Sequence, residues 1–165
     1  MTNIKGRVWK FGDNVNTDVM APGFALGAPW EQLKKLILHI HPKFTQEAKP
    51  GDVIVAGKNW GCGSSREQAP ANLKRLGLGC VVAESFGRIY FRNSVALAFP
   101  SIACAGVAQA FDEGDELELD VENARVRNIT KGKELKGETL SKDMVAIIAK
   151  GGIIPALKER VGVKK

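Results

Sequence analysis

No apolar run in the 165-residue chain approaches the roughly 20 residues that span a bilayer. The opening stretch, MTNIKGRVWKFGDN, lacks the apolar segment of a secretory leader, so a cytoplasmic protein is expected. Cysteine is scarce. Cys62, Cys80 and Cys104 stand far apart, with no CxxC and no Cys/His pairing, which argues against a disulfide framework and against a metal site on this chain. Cys80 and Cys104 read as reduced core residues, and Cys62 has no histidine nearby in sequence to activate it as a nucleophile. Basic clusters interleaved with aromatics are also missing, so nucleic acid is not an expected partner.

What is present is the composition of a soluble globular chain, 44% apolar and 25% charged, long enough to bury one core. The net charge of +6 is uneven: Lys and Arg number 7 against 4 acids in residues 1–50 and 6 against 3 in residues 51–100, then balance at 11 against 11. An excess of that kind suits an acidic ligand.

The order of elements reads as one mixed α/β domain over residues 1–165. RVWKF is a strand, followed by the turn-rich GDNVNTDVMAPG. PWEQLKKLILHIH has helical spacing at Trp30, Leu33, Leu36, Ile37 and Ile40, closed by Pro42. DVIVAG, CVVAES and SIACAG read as buried strands, with helices over PANLKRLGLG and RIYFRNSVALAF between them, which is the pattern of parallel βαβ units. DELELDVENARVRNITKGKELKG alternates as antiparallel hairpins do, and a helix interrupted by Gly-Gly and Pro ends the chain. The acidic DEGDELELD has the wrong ligand spacing for a calcium loop and reads as a solvated hairpin.

GKNWGCGSSREQAP, residues 57–70, lies between a buried strand and a helix, where open α/β sheets tend to bind ligands. Its glycines permit positive φ and close backbone approach. Ser64-x-x-Glu67 has capping-box spacing, and Arg66 offers a planar fork for a carboxylate or phosphate. Pro70 sits awkwardly for a helix begun at Ser65; a start nearer Ala69 leaves Ser64, Ser65 and Arg66 in a loop with donors free for a ligand. The run is neither a Walker motif nor a dinucleotide fingerprint. Its residues fit an anion site with two hydroxyls, or simply a capped turn.

Three motifs in order, FGDNxNTDVxxPG, GDxxVAGKNxGCGSSRExAP and SFxRIxFRN, resemble the small subunits of the aconitase superfamily, the swivel-domain chains of two-subunit 3-isopropylmalate dehydratases. The resemblance runs from Gly6 to about Arg160. It implies a single swivelling β/β/α domain of the aconitase C-terminal type, with βαβ units and a C-terminal hairpin region, and it implies a hydro-lyase. A large subunit, the expected partner, would carry a [4Fe-4S] cluster, with no cofactor bound by this chain. By position Ser64 matches the family's catalytic base, and Ser65 and Arg66 its substrate-binding pair. Gly61 and Gly63 would shape the turn, while Thr17 and Asp18 would support it or form an Asx-turn or helix cap.

Two departures qualify the resemblance. Gln68 stands where the family usually has histidine, and it cannot change charge near neutral pH. That keeps open a non-catalytic anion-binding or regulatory module. In the specificity loop, tricarboxylate-handling members place an arginine at about Gly27, and none occurs here between Arg7 and Arg66. Phe24, Ala25, Leu26, Ala28 and Trp30 could meet an alkyl group, or simply pack locally or against the partner. An apolar pocket disfavours a third carboxylate, so the expected ligand is a small hydroxy-dicarboxylate. 3-Isopropylmalate, of leucine biosynthesis, leads, with 2,3-dimethylmalate or citramalate as alternatives. Arg88 and Arg92, four apart on one helical face, read as a structural salt bridge, with contact to partner or substrate as the alternative. His39 and His41 read as surface or capping residues. Isolated, the chain is expected to self-associate through surface meant for its partner.

Overall fold

The computed structural model describes residues 3–163. All four side chains of β2 (Val53–Ala56) are buried, as expected of a strand covered on both faces. β1 (Ile4–Lys10) lies parallel to it, with Val8 opposite Val53. β3 (Val81–Ala83) and β4 (Ser101–Ala103) extend the parallel half, each reached through a helix: α4 (Gln68–Arg75), then α5 (Arg88–Ala96). Three short helices, α1 (Thr17–Met20), α2 (Trp30–Leu33) and α3 (Phe44–Glu47), fill the long connection from β1 to β2.

After α6 (Val107–Ala110) the chain returns to the other side of β1. β5 (Glu116–Asp120) pairs with it antiparallel, Ile4 opposite Leu119, followed by β6 (Arg125–Asn128) and β7 (Lys133–Lys136). The result is one mixed seven-stranded sheet in the order β4-β3-β2-β1-β5-β6-β7. Alternation holds in the antiparallel half: Leu117, Leu119 and Val126 are buried, whereas Arg127 faces out between Glu118 and Glu134. The sheet curls, so that the Glu138 N–H beyond β7 donates to the Ala103 carbonyl of β4 at 2.7 Å. α7 (Lys142–Ala149) and α8 (Ile153–Arg160), parted by Gly151 and Gly152, close the fold. No helix is long and apolar enough to cross a membrane among the described residues.

Two cores form, one on each face of the sheet. Trp9, Ile54, Val81 and Ala83 pack with Phe44, Trp60 and Tyr90, while Val8, Val55, Val82 and Ile102 pack with Val107 and Phe111. The helix expected across residues 29–41 shrinks to one turn, α2. Leu38 adopts φ +55° and its N–H donates to the Val19 carbonyl at 2.7 Å, so a tertiary bond overrides the local periodicity.

Asp52, buried at the foot of β2, ties the first core together. It accepts from Arg7 Nη2 at 2.9 Å, Trp9 Nε1 at 2.8 Å and the Lys49 N–H at 2.9 Å. Burial alone would raise its carboxyl; the Arg7, Lys49 and Trp9 donors outweigh that and hold it below its ordinary value. A carboxyl depressed on folding stabilises above its unfolded pKa, and that contribution fades as pH falls through the folded one. Asp52→Asn is therefore expected to cost about 1–3 kcal/mol at neutral pH, by urea unfolding, and the gap to wild type should narrow on acidification.

Candidate active site

Three loops meet beyond the C-terminal ends of β1, β2 and β3, and they continue the strands' parallel pairing. The Gly61 N–H donates to Val15 O at 2.8 Å and the Thr17 N–H to Cys62 O at 2.9 Å, joining the first loop to the second. The Trp60 N–H donates to Ser85 O at 3.0 Å and the Gly87 N–H to Trp60 O at 2.8 Å, joining the second to the third. Two glycines make this possible. Gly61 has φ +76°, and a Cβ there would stand 2.2 Å from Cγ of the buried Tyr90. Gly63 has φ +100°, and its Cβ would stand 2.5 Å from Asn16 Oδ1. No side chain fits either place.

This turn delivers Ser64 to Thr17. The two hydroxyls lie 3.1 Å apart, and the Ser64 N–H also donates to Thr17 Oγ1 at 3.1 Å. Thr17 is fully buried, whereas Ser64 is exposed, so a fixed hydroxyl backs an open one. Asn16 caps α1, its Oδ1 accepting from the Asp18 N–H at 2.8 Å. The Asx-turn expected as the alternative for this loop is therefore present. Arg66 Nη1 donates to Asp18 Oδ1 and, at 3.2 Å, to the Ala21 carbonyl. Among the described residues nothing hydrogen-bonds its Nη2, which leaves part of the guanidinium fork for an anion.

The helix behind the turn begins at Gln68, with Glu67 in the cap position making no side-chain cap bond, so the Ser64–Glu67 capping box does not form. Pro70 becomes the third helical residue, where its missing N–H would have had no intrahelical acceptor. Ser64, Ser65 and Arg66 consequently lie in a loop. The Ser65 carbonyl accepts from Asn93 Nδ2 of α5 at 3.3 Å, and the buried Asn72 of α4 donates to Met20 O at 2.9 Å, bracing α1. Sequence reading missed both asparagines. Asn93 closes the SFGRIYFRN motif, which was its one signal; Asn72 had none.

The expected specificity loop divides. A Cβ on Gly23 would lie 3.0 Å from Arg66 Nη2, which places the start of the loop against the guanidinium. Phe24 is 85% and Leu26 45% exposed, and Gly27 has open space around it. Ala25 is buried in the core and cannot face a ligand. Trp30 turns away to carry the Arg75 guanidinium 4.1 Å above its ring, beside a separate cavity of about 280 Å³. The salt bridge expected of Arg88 and Arg92 does not form: both are exposed, and neither is ion-paired among the described residues. His39 is exposed and bonds the Leu36 carbonyl, as expected of a surface or capping residue. His41 differs: it pairs with Glu113 at 2.6 Å and packs edge-on against Trp9 with ring centroids 5.0 Å apart, so its ring belongs to the rim of the first core.

A cluster does not suit this chain's donors. Burial pushes the Cys80 thiol up to about 12 and, with Glu84 adding to it, the Cys104 thiol up to about 11, against the thiolate that iron would need. No three His, Cys, Asp or Glu side chains among the described residues converge as a metal site requires.

The Aconitase C-terminal domain family model matches residues 32–103. The chain is 47% identical over 160 residues to the isopropylmalate/citramalate isomerase small subunit of Methanocaldococcus jannaschii, covering 96% of this chain and 95% of that one. It is 42% identical over 155 residues to a methanogen homoaconitase small subunit from Methanothermobacter thermautotrophicus, covering 92% and 88%. The crystal structure of a 3-isopropylmalate dehydratase chain from M. jannaschii superposes with a TM-score of 0.89 at 38% identity, covering 98% and 97%.

The turn's geometry is testable by itself. Gly61→Ala should cost more than about 2 kcal/mol, because it adds a strained φ to a clash with Tyr90. Gly12→Ala, with open space and an ordinary φ, should stay within about 0.5 kcal/mol. Thermal melting of both variants compares them.

Proposed function

Because the chain belongs to the small-subunit family of the 3-isopropylmalate dehydratases, within the aconitase superfamily, we propose that it forms half of a hydro-lyase that dehydrates or isomerises a branched or methylated malate, 3-isopropylmalate before 2,3-dimethylmalate or citramalate. The observation that carries the proposal is the Ser64 hydroxyl held 3.1 Å from the buried Thr17 hydroxyl, beside an Arg66 anchored by Asp18. The exposure of Ser64 fits a half-site that a cluster-bearing large subunit covers.

The expected [4Fe-4S] cluster on that subunit supplies Lewis-acid activation of the substrate hydroxyl. Ser64 takes the proton from the carbon next to a carboxylate. A serine hydroxyl is a weak base, so its alkoxide must be stabilised. Thr17 Oγ1 accepts from the Ser64 N–H, and of the three acceptors within reach of its own proton Ser64 Oγ is the nearest, at 3.1 Å against 3.4 Å for Asn16 Oδ1 and for the Ser64 carbonyl. Arg66 holds the carboxylate whose charge grows as the proton leaves, and Asp18 fixes the guanidinium's orientation. Phe24, Leu26 and Gly27, following the Gly23 contact to Arg66, offer alkyl contacts and no cation. A third carboxylate would be left unpaired there. Gln68 is exposed and its side chain makes no hydrogen bond to Ser64, so the base rests on Thr17 instead.

The test is anaerobic reconstitution with a cluster-bearing large subunit from the same organism, assayed on 3-isopropylmalate, 2,3-dimethylmalate, citramalate and citrate. Formation of the unsaturated acid is followed by ultraviolet absorbance. Turnover of a branched malate and not of citrate is expected; citrate turnover would overturn the loop argument alone. Ser64→Ala should lower kcat by a factor on the order of 10³ without weakening assembly. Undiminished turnover by that variant would remove Ser64 from the role of base.

A further inference from the structure

Among the described residues, α5 leaves a charged face without an ionic partner. Tyr90 points inward beneath Gly61, and Asn93 reaches the Ser65 carbonyl, so α5 borders the Ser64 turn. At about 100° per residue, Arg88 and Arg92 fall on the side opposite Tyr90, and Ile89 falls between Arg92 and Asn93. Arg88 and Arg92 are exposed, and Ile89 is 48% exposed. An uninterrupted strip therefore runs from the two guanidiniums through an isoleucine to the edge of the open site.

Two acids of the three loops have other partners. The Glu84 carboxylate accepts from the Gly106 and Ala108 N–H groups at 2.9 and 3.0 Å, and Asp18 holds Arg66. Glu67 pairs with neither α5 arginine. Arg88 is moreover the first residue of α5, at the positive end of the helix, where a cation is locally unfavourable. A residue that opposes its own helix marks a place where something other than folding sets the choice.

We infer that Arg88, Ile89 and Arg92 form the docking edge for an acidic rim, with an apolar seat for Ile89, on the large subunit. This rests on the functional reading above. A second copy of this chain, with its charge of +6, offers the wrong sign.

The experiment compares wild type with Arg88→Glu/Arg92→Glu for affinity to the large subunit of the same organism, by biolayer interferometry at about 50 and about 300 mM salt. At low salt the double variant should bind at least about tenfold more weakly, with a flatter salt dependence. Its kcat at saturating subunit should stay within about twofold of wild type. Its melting temperature should be equal or higher, since a carboxylate suits the start of a helix, so misfolding cannot explain the loss. Unchanged affinity in the double variant overturns the docking edge. Unchanged affinity with a raised KM overturns it too, and moves the arginines to the substrate. Wild type that fails to bind the large subunit overturns the functional reading and the edge together, whereas binding by wild type with an indifferent variant overturns the edge alone.

Discussion

Backbone pairing that continues past the ends of β1, β2 and β3 is the constraint on which the site depends. Gly61 N–H to Val15 O and Thr17 N–H to Cys62 O stitch together two loops that would otherwise be independent. That stitching requires a turn with φ +76° and φ +100° in close succession, lying against Tyr90 on one side and Asn16 on the other. Every polar contact of Ser64 follows from that register. A shift of one residue would carry Ser64 away from Thr17, since neighbouring residues on an extended segment face opposite ways.

Burial divides the labour within the site. Thr17, Met20 and Asn72 lie inside, where packing and a buried side-chain bond to the Met20 carbonyl hold them. Ser64, Ser65 and Phe24 lie outside. Rigid groups thus present exposed ones, the arrangement that the proposed reaction would need to keep its atoms aligned.

Much of this was legible in the residues. The continuous apolar runs of β2 and β3 could hardly be anything but buried strands, and the alternation of ELELD and RVRN fixed the inward faces of β5 and β6. Ser64, Arg66, Thr17 and Asp18 were found through motif order, and the structure brings all four together. What could not be read were contacts between segments distant in the chain. Leu38 bonding Val19 ended a helix that periodicity favoured. Ala25 went to the core although its neighbours Phe24 and Leu26 did not. Arg88 and Arg92 had the spacing of a pair-forming face, yet neither has an ionic partner among the described residues. Local pattern carries no information about such competition.

The central place of β1 has a consequence for how the chain assembles. Its first strand is bonded on one edge to β2 and on the other to β5, with Ile4 opposite Leu119. During synthesis the second edge stays open until most of the chain has emerged. The parallel half, with its two βαβ crossovers, can gather earlier around β2. The last event is then the return of β5 to the oldest strand, a closure across more than a hundred residues that makes slow, late-committing folding the expected regime.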